Sequence, residues 1–111
     1  TSIAGARVHP FAGAAYSTSK AALAALTREM AHDFGPLGVR VNAIAPGYIE
    51  TSNTEALRAD PDRNRAILDR IPAGRWGCPE DIAGTAVYLC SRAANYVHGA
   101  VLNVDGGWLA R

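Results

Sequence analysis

The sequence predicts an α/β fold, and three observations support that prediction. An alanine-rich stretch from about residue 14 to residue 34 has helical periodicity. A β-branched run follows it at residues 39–45 and predicts a strand. A second helical pattern over about 79–94 is followed by another short apolar run at residues 100–104. A helix followed at once by a strand is typical of α/β architecture.

Length and charge limit the class of protein. With 111 residues the chain suits one modest domain. The formal net charge is +1, with both signs mixed along the chain, so we expect neither a nucleic-acid partner nor a membrane partner. The two cysteines, Cys78 and Cys90, match no metal-ligand spacing and are too few for a disulfide scaffold. We therefore expect no metal and a reducing, cytoplasmic location.

The first predicted helix carries one apolar stripe. Its members recur at three- and four-residue spacing: Leu23, Leu26, Met30 and Phe34. Neighbouring alanines widen the apolar surface, which suits a helix covered on two sides or simply reflects high helix propensity. We expect the helix to end at Gly35-Pro36, with glycine supplying a left-handed cap.

The middle of the chain is the least regular part. The strand at residues 39–45 ends at Pro46-Gly47, and residues 48–75 are polar and irregular. We expect one or two short helices there, around 53–59 and 62–70. A segment this long is often a lid or a binding segment.

The last helix and strand have clear boundaries in the sequence. Pro79 suits the first turn of a helix, and Glu80 and Asp81 suit the positive end of its dipole. After the strand at 100–104, Asp105-Gly106-Gly107 predicts a turn and not a catalytic acid.

The chain contains one lysine, Lys20, four residues after Tyr16. On a helix this spacing puts both side chains on one face. A positive charge beside a phenol favours the ionised phenol, and such a phenol suits proton transfer to or from an alcohol or carbonyl. The pair therefore predicts a proton-transfer site.

Four segments, in order, resemble one enzyme family. Residues 16–22 (YSTSKAA) resemble the active-site helix of the short-chain dehydrogenase/reductases. Residues 40–47 (RVNAIAPG) are similar to the strand and turn that approach the nicotinamide, and residues 74–83 (GRWGCPEDIA) to the start of the penultimate helix. Residues 103–107 (NVDGG) are similar to the closing strand and turn. Together these matches cover essentially the whole chain.

The resemblance implies three catalytic residues. Tyr16 would be the general acid when a carbonyl is reduced and the base when an alcohol is oxidised. Lys20 would favour the phenolate and hydrogen-bond to the nicotinamide ribose. Ser2, three residues before Gly5, would hold the substrate oxygen and the developing oxyanion. Thirteen residues separate Ser2 from Tyr16, one more than is usual in the family, and a longer loop around residues 8–10 would absorb the difference.

The resemblance also implies a nicotinamide site and a cofactor, NAD or NADP. Tyr16 and Lys20 would share in it, with Pro46 and Gly47 approaching the ring. The backbone of the residue at Ile49 would pair with the carboxamide, and the Thr51 hydroxyl would reach the carboxamide or the pyrophosphate. An alternative for Pro46-Gly47 is that they form only a sharp exit from the strand.

The family fold implies that the chain is one portion of a larger domain. It would be the carboxyl-terminal part of a Rossmann-like, doubly wound parallel sheet with flanking helices. Residues 1–111 would be the catalytic portion, and the amino-terminal dinucleotide-binding portion would be absent, since the sequence has no glycine-rich phosphate loop. We expect a parent homodimer or homotetramer, formed through the 14–34 helix and the carboxyl-terminal region.

The resemblance implies an NAD(P)-dependent oxidoreductase that interconverts a carbonyl and a secondary alcohol of a small molecule. The alternative is a non-catalytic fragment or assembly piece. Arginines of the 48–75 segment would suit an anionic or polyhydroxylated substrate, or else lie on solvated helix faces. Tyr48 and Trp76 would line a substrate pocket or serve in packing.

Overall fold

The computed structural model describes residues 1–7 and 12–111. It confirms the α/β class. The helices are α1 (Ala14–Phe34), α2 (Glu55–Ala59), α3 (Pro61–Leu68) and α4 (Pro79–Cys90), and the strands are β1 (Ala43–Pro46) and β2 (Val101–Val104). The described residues also include five single 3-10 turns, at Ile3–Gly5, Gly35–Leu37, Ser52–Thr54, Arg92–Ala94 and Trp108–Ala110. Among the helices of the described residues, none has the length and apolar character needed to cross a membrane.

The two strands form a parallel pair, and α4 lies between them in the chain. Ala43 is opposite Val101 and Pro46 is opposite Val104. The Gly47 N–H extends the pairing to the Val104 carbonyl at 2.9 Å. Parallel strands place their carboxyl ends at one edge of the sheet, so the turns after β1 and β2 lie side by side.

Strand β1 begins four residues later than the sequence predicts. The Val41 N–H donates to His98 Nδ1 at 3.3 Å instead of to a strand. The Asn42 side-chain amide donates to the Val97 carbonyl at 2.8 Å and accepts from the Ala100 N–H at 3.0 Å. Side chains thus take over part of the pairing before β1, where one backbone hydrogen bond remains, from the Gly99 N–H to the Val41 carbonyl at 2.8 Å.

Arg40, the first residue of the 40–47 motif, caps the carboxyl end of α4. Its guanidinium donates to the carbonyls of Leu89 and Ala94, both at 2.8 Å, and to that of Ser91 at 3.2 Å. The last carbonyls of a helix have no partner within the helix, so this arginine serves as a cap. Helix α4 ends at Cys90, earlier than the predicted residue 94, and a 3-10 turn follows.

The prediction of a left-handed cap at Gly35 is wrong. Gly35 is right-handed, with φ −55°, and the chain continues into a 3-10 turn with Pro36 at its start. The left-handed residue is Gly38, with φ 77°. A residue before proline is disfavoured in the helical region, and a glycine without Cβ tolerates that conformation best.

Helix α1 does not bury its predicted apolar stripe within this chain. Leu23, Leu26 and Phe34 are between 40% and 50% exposed. The buried residues of the helix are Thr27 and Ala31, each 5% exposed, on a face of small side chains. Small residues let the helix approach the neighbouring backbone closely, so the stripe is left on the outside.

The best-buried part of the molecule lies under the 48–75 segment. We call this group the aromatic cluster: Ile3, Tyr48, Ile67, Ile71, Trp76 and Trp108, all at most 6% exposed. The Tyr48 ring meets the Trp76 ring edge-on, with centroids 5.3 Å apart, and lies 4.6 Å from that of Trp108. Burial raises the pKa of Tyr48 to about 12. Trp76 and Trp108 therefore serve in packing, Tyr48 packs against both, and the cluster holds α2 and α3 against the rest of the chain.

Candidate functional site

The turn at residues 1–5 is packed tightly against the start of α1. The Thr1 hydroxyl donates to the Lys20 carbonyl at 2.6 Å, and the Ser2 hydroxyl accepts from the Ala4 N–H at 3.2 Å. A Cβ on Gly5 would lie 2.7 Å from both the Lys20 carbonyl carbon and the Ala21 nitrogen. Only glycine allows so close an approach, and this approach holds Ser2 beside the helix that carries Tyr16.

Tyr16 and Lys20 lie on one face of α1, as their spacing predicts. The Lys20 Nζ is 5.2 Å from the centroid of the Tyr16 ring, within the range of a cation–π contact. Tyr16 is 48% exposed, so its phenol is open to a ligand. The phenol and the ammonium group are therefore adjacent, and the tyrosine is accessible.

The Pro46-Gly47 turn is in contact with the turn that follows β2. A Cβ on Gly47 would lie 2.7 Å from the Asp105 Cα, so packing within the chain already requires a glycine there. Asp105 itself accepts from the Gly107 N–H at 2.9 Å and the Leu109 N–H at 3.0 Å. It lies in a turn, which confirms the predicted turn at Asp105-Gly106-Gly107.

Two adjoining clefts open beside Tyr16. We call them the loop-side cleft, of about 470 Å³, and the helix-side cleft, of about 460 Å³. Both are lined by the same five residues: Ser2, Tyr16, Gly47, Asn53 and Thr54. The loop-side cleft adds Pro46, Ile49 and Thr51, and the helix-side cleft adds Ile3, Tyr48 and Leu57.

Six of the seven predicted site residues thus meet at one cleft. They come from three separate stretches of the chain: the turn at residues 1–5, helix α1 and the segment after β1. Lys20 is not among the described lining residues and stands behind Tyr16 on the same helix face. The residues 8–10 expected to absorb the extra loop residue lie outside the described residues.

Three residues that shape this site were not predicted. Asn53 and Thr54 line both clefts, and Gly5 provides the close contact with α1. A signal for Thr54 was present, since Thr51 and Thr54 have the three-residue spacing of a capping pair just before a predicted helix. Gly5 served in the sequence only to place Ser2, and its close contact with α1 had no local signal because it depends on another element of the fold.

The arginines of the 48–75 segment do not reach the clefts, as judged from the described lining residues. Several have partners elsewhere. Arg58 lies 3.8 Å from Glu50, and Arg70 stacks 4.3 Å from the Trp108 ring. Arg75 donates to both carboxylate oxygens of Asp81, at 2.8 and 2.9 Å, and these hydrogen bonds lower the pKa of Asp81. The arginines therefore act mainly in structure and on the surface.

Comparison with known proteins identifies the family. The family model described as enoyl-(acyl carrier protein) reductase matches residues 1–109. The chain belongs to the short-chain dehydrogenase/reductase family. It is 59% identical, over 97 residues, to the 2-dehydro-3-deoxy-D-gluconate 5-dehydrogenase of Bacillus subtilis (strain 168). That match covers 87% of this chain and 38% of the relative, so the chain spans well under half the length of such relatives.

Solved structures of this family confirm the Rossmann-type fold. A gluconate 5-dehydrogenase from Burkholderia cenocepacia J2315, in complex with NADP and tartrate, is 36% identical with a TM-score of 0.94. The match covers 99% of this chain and 43% of that one. A 4-hydroxyisoleucine dehydrogenase complexed with NADH is 38% identical with a TM-score of 0.95, covering 100% of this chain and 45% of that one.

Proposed function

We propose that the full-length protein is an NAD(P)-dependent oxidoreductase that interconverts a carbonyl and a secondary alcohol. The observation that supports this most is the loop-side cleft, where Ser2, Tyr16 and the segment after β1 meet. A serine hydroxyl and a tyrosine hydroxyl on one cleft are the groups needed to hold a substrate oxygen and to move its proton.

Tyr16 carries the proton step in this proposal. In the oxidation direction its phenolate oxygen accepts the proton of the alcohol, and in the reduction direction its hydroxyl returns that proton to the carbonyl oxygen. The Lys20 ammonium lies against the ring and stabilises the phenolate electrostatically. The Ser2 hydroxyl donates to the substrate oxygen and stabilises negative charge that develops there.

The donor set of the loop-side cleft suits a nicotinamide nucleotide. Thr51 offers a hydroxyl and Ile49 an apolar side chain, beside the Pro46-Gly47 turn, and Lys20 would bind the ribose. When bound, the cofactor supplies or accepts the hydride. A relative named 2-dehydro-3-deoxy-D-gluconate 5-dehydrogenase and a family structure named gluconate 5-dehydrogenase, with tartrate bound, favour a polyhydroxylated acid as the substrate.

The test is Tyr16→Phe in the full-length protein. We expect kcat to fall at least about 100-fold with gluconate-type substrates, because the variant cannot transfer a proton. Tyr96→Phe is the matched control, since Tyr96 is fully exposed, and it should leave kcat unchanged. A Tyr16→Phe enzyme that keeps turnover within tenfold of the parent would overturn the mechanism.

A second role, in assembly, is supported by the outer face of α1. Leu23, Leu26 and Phe34 are between 40% and 50% exposed on one helix. We propose that this face contacts a second copy in a homodimer or homotetramer. Sedimentation of the full-length protein should then show an oligomer that Leu26→Glu dissociates; a monomeric parent protein would contradict this role.

A further inference from the structure

Thr54 is the last residue of the 3-10 turn Ser52–Thr54, directly before α2. Its hydroxyl oxygen is 3.0 Å from the Thr51 nitrogen, 2.7 Å from the Ile49 carbonyl oxygen and 3.1 Å from the Thr51 carbonyl oxygen. A hydroxyl has one proton to donate and can accept through its lone pairs. The oxygen accepts from the Thr51 N–H, and the shortest distance assigns its proton to Ile49.

One side chain thus joins both ends of the segment 49–51. The peptide between them is fixed as well, because the Glu50 N–H donates to the Gly77 carbonyl at 2.8 Å. From the other side, Arg58 donates to the Thr51 carbonyl at 3.2 Å. The backbone of this short segment is therefore held from three directions, and Thr54 supplies the only hydroxyl among these contacts.

We propose that Thr54 is a positioning residue for the nicotinamide end of the cofactor, an inference that rests on the proposed function. Ile49 and Thr51 are the residues expected to meet the carboxamide, so their backbone orientation decides how well that group is bound. Thr54 acts through them. Preorganised contacts of this kind are sensitive to small displacements, because misplaced groups lose binding at the reacting end.

Valine at position 54 keeps the shape of threonine and loses the hydroxyl. Both hydrogen bonds of the hydroxyl disappear, and the segment 49–51 is then held by the Gly77 and Arg58 contacts without the link between its two ends. We expect the affinity for NADH or NADPH, whichever the protein binds more tightly, to fall about tenfold. Serine at position 54 keeps the hydroxyl and should stay within about twofold of the parent protein.

The experiment measures nucleotide binding by fluorescence titration of the full-length protein and its Thr54→Val, Thr54→Ser and Thr85→Val variants. Thr85→Val is the matched control, because it makes the same chemical change at an α4 residue that is not among the described lining residues of either cleft. Competition with ADP-ribose, or its 2′-phosphate for NADPH, reports on the half of the cofactor that carries no nicotinamide. We expect Thr54→Val to weaken the dinucleotide and leave ADP-ribose binding unchanged.

The outcomes separate the two proposals. Equal dinucleotide affinity in Thr54→Val and the parent protein would overturn the role of Thr54 and leave the proposed function standing. Equal losses for the dinucleotide and for ADP-ribose would mean a general structural defect, and equal losses in the serine and valine variants would mean that the methyl group matters; each outcome rejects positioning by the hydroxyl. A parent protein that binds neither NADH nor NADPH would overturn the proposed function, and this inference with it.

Discussion

Helix α1 contributes Tyr16 to the wall of the helix-side cleft, and the aromatic cluster contributes Ile3 and Tyr48. These two regions bury very different shares of their apolar surface. The cluster residue Ile67 is fully buried, and Trp76 and Trp108 are 6% and 2% exposed. On α1, Leu26 is 50% exposed, and only Thr27 and Ala31 are buried. The 48–75 segment, whose sequence is irregular, is thus better packed than α1. The regular helix that carries Tyr16 keeps large apolar side chains exposed.

This difference shows that a regular helical periodicity does not predict whether an element buries its apolar side chains within the chain. The cluster gathers large side chains from residues 3, 48, 67, 71, 76 and 108, so long-range contacts hold it together. Helix α1 packs through small side chains and close backbone contacts. The packing of α1 therefore depends on steric fit between small side chains and neighbouring backbone. The cluster is stabilised mainly by the apolar area that its large side chains bury.

The largest expected effect comes from cutting a cavity in the cluster. Ile67→Ala should lower the free energy of unfolding by about 2–5 kcal/mol, because a fully buried isoleucine leaves an unfilled space. Leu37→Ala, at a 74% exposed position in the turn after α1, should cost less than about 1 kcal/mol. Urea unfolding followed by tryptophan fluorescence measures both. If Leu37→Ala costs as much as Ile67→Ala, burial within the chain does not decide which apolar side chains stabilise it.

The close contact at Gly5 should be the weak point of the α1 wall. Gly5→Ala places a Cβ 2.7 Å from the Lys20 backbone, so we expect a loss of about 1–3 kcal/mol from overpacking. The control is Gly84→Ala in α4, where a Cβ meets nothing within 4 Å. There alanine should stabilise the helix by up to about 1 kcal/mol. Thermal unfolding checks both, and a neutral Gly5→Ala would show that the turn at residues 1–5 is loosely held.

One hydrogen bond inside the cluster offers a smaller test. The Trp76 Nε1–H donates to Asn64 Oδ1 at 2.8 Å. Asn64→Ala leaves that indole N–H without its partner, and we expect a loss of about 1 kcal/mol. Asn95→Ala, at an exposed position, should change the unfolding free energy by less than about 0.5 kcal/mol. Equal effects in denaturant titrations would mean that the hydrogen bond adds nothing to the cluster.

The smallest expected effect is on how the stability of the protein changes at acid pH. The Arg75 hydrogen bonds lower the pKa of Asp81 in the folded protein, whereas an unfolded aspartate titrates near about 3.9. The unfolded state therefore takes up protons first, and the stability from this pair is present above about pH 4 and declines as pH falls toward the lowered value. Asp81→Asn should flatten the loss of stability between about pH 5 and pH 2, while Asp33→Asn should not. Identical pH profiles for the parent and Asp81→Asn would contradict this.

Much of the fold follows from local sequence signals, and the failures have specific causes. Helix α1 has the predicted bounds because its alanine-rich sequence favours a helix and Pro36 cannot continue it. Strand β1 is shorter than predicted because side chains take part of its pairing: His98, far along the chain, accepts from the Val41 N–H, and the Asn42 side chain bonds to the segment before β2. The stripe on α1 was identified correctly as apolar, yet which face the helix turns inward depended on how closely neighbouring segments approach.

The features of the site also divide into those that could be predicted from the sequence and those that could not. The spacing of Tyr16 and Lys20 is a helical property, so their adjacency could be predicted from sequence. That Ser2 and Thr51 reach the same cleft as Tyr16 was an expectation from family resemblance and needed the three-dimensional structure to be observed. The part played by Thr54 was missed, because a threonine before a short helix has the same local sequence signal whether it caps the helix or orders a loop.

The sequence by itself determined the α/β class, the bounds of α1, the turn after β2 and the pairing of the phenol with the ammonium, because each depends on interactions within a few residues. The tertiary structure decided which wall of the cleft is buried, which glycines are indispensable and which hydroxyl holds the segment 49–51. Those choices depend on contacts between residues far apart in the chain, where steric fit and hydrogen-bond geometry have no local sequence signal.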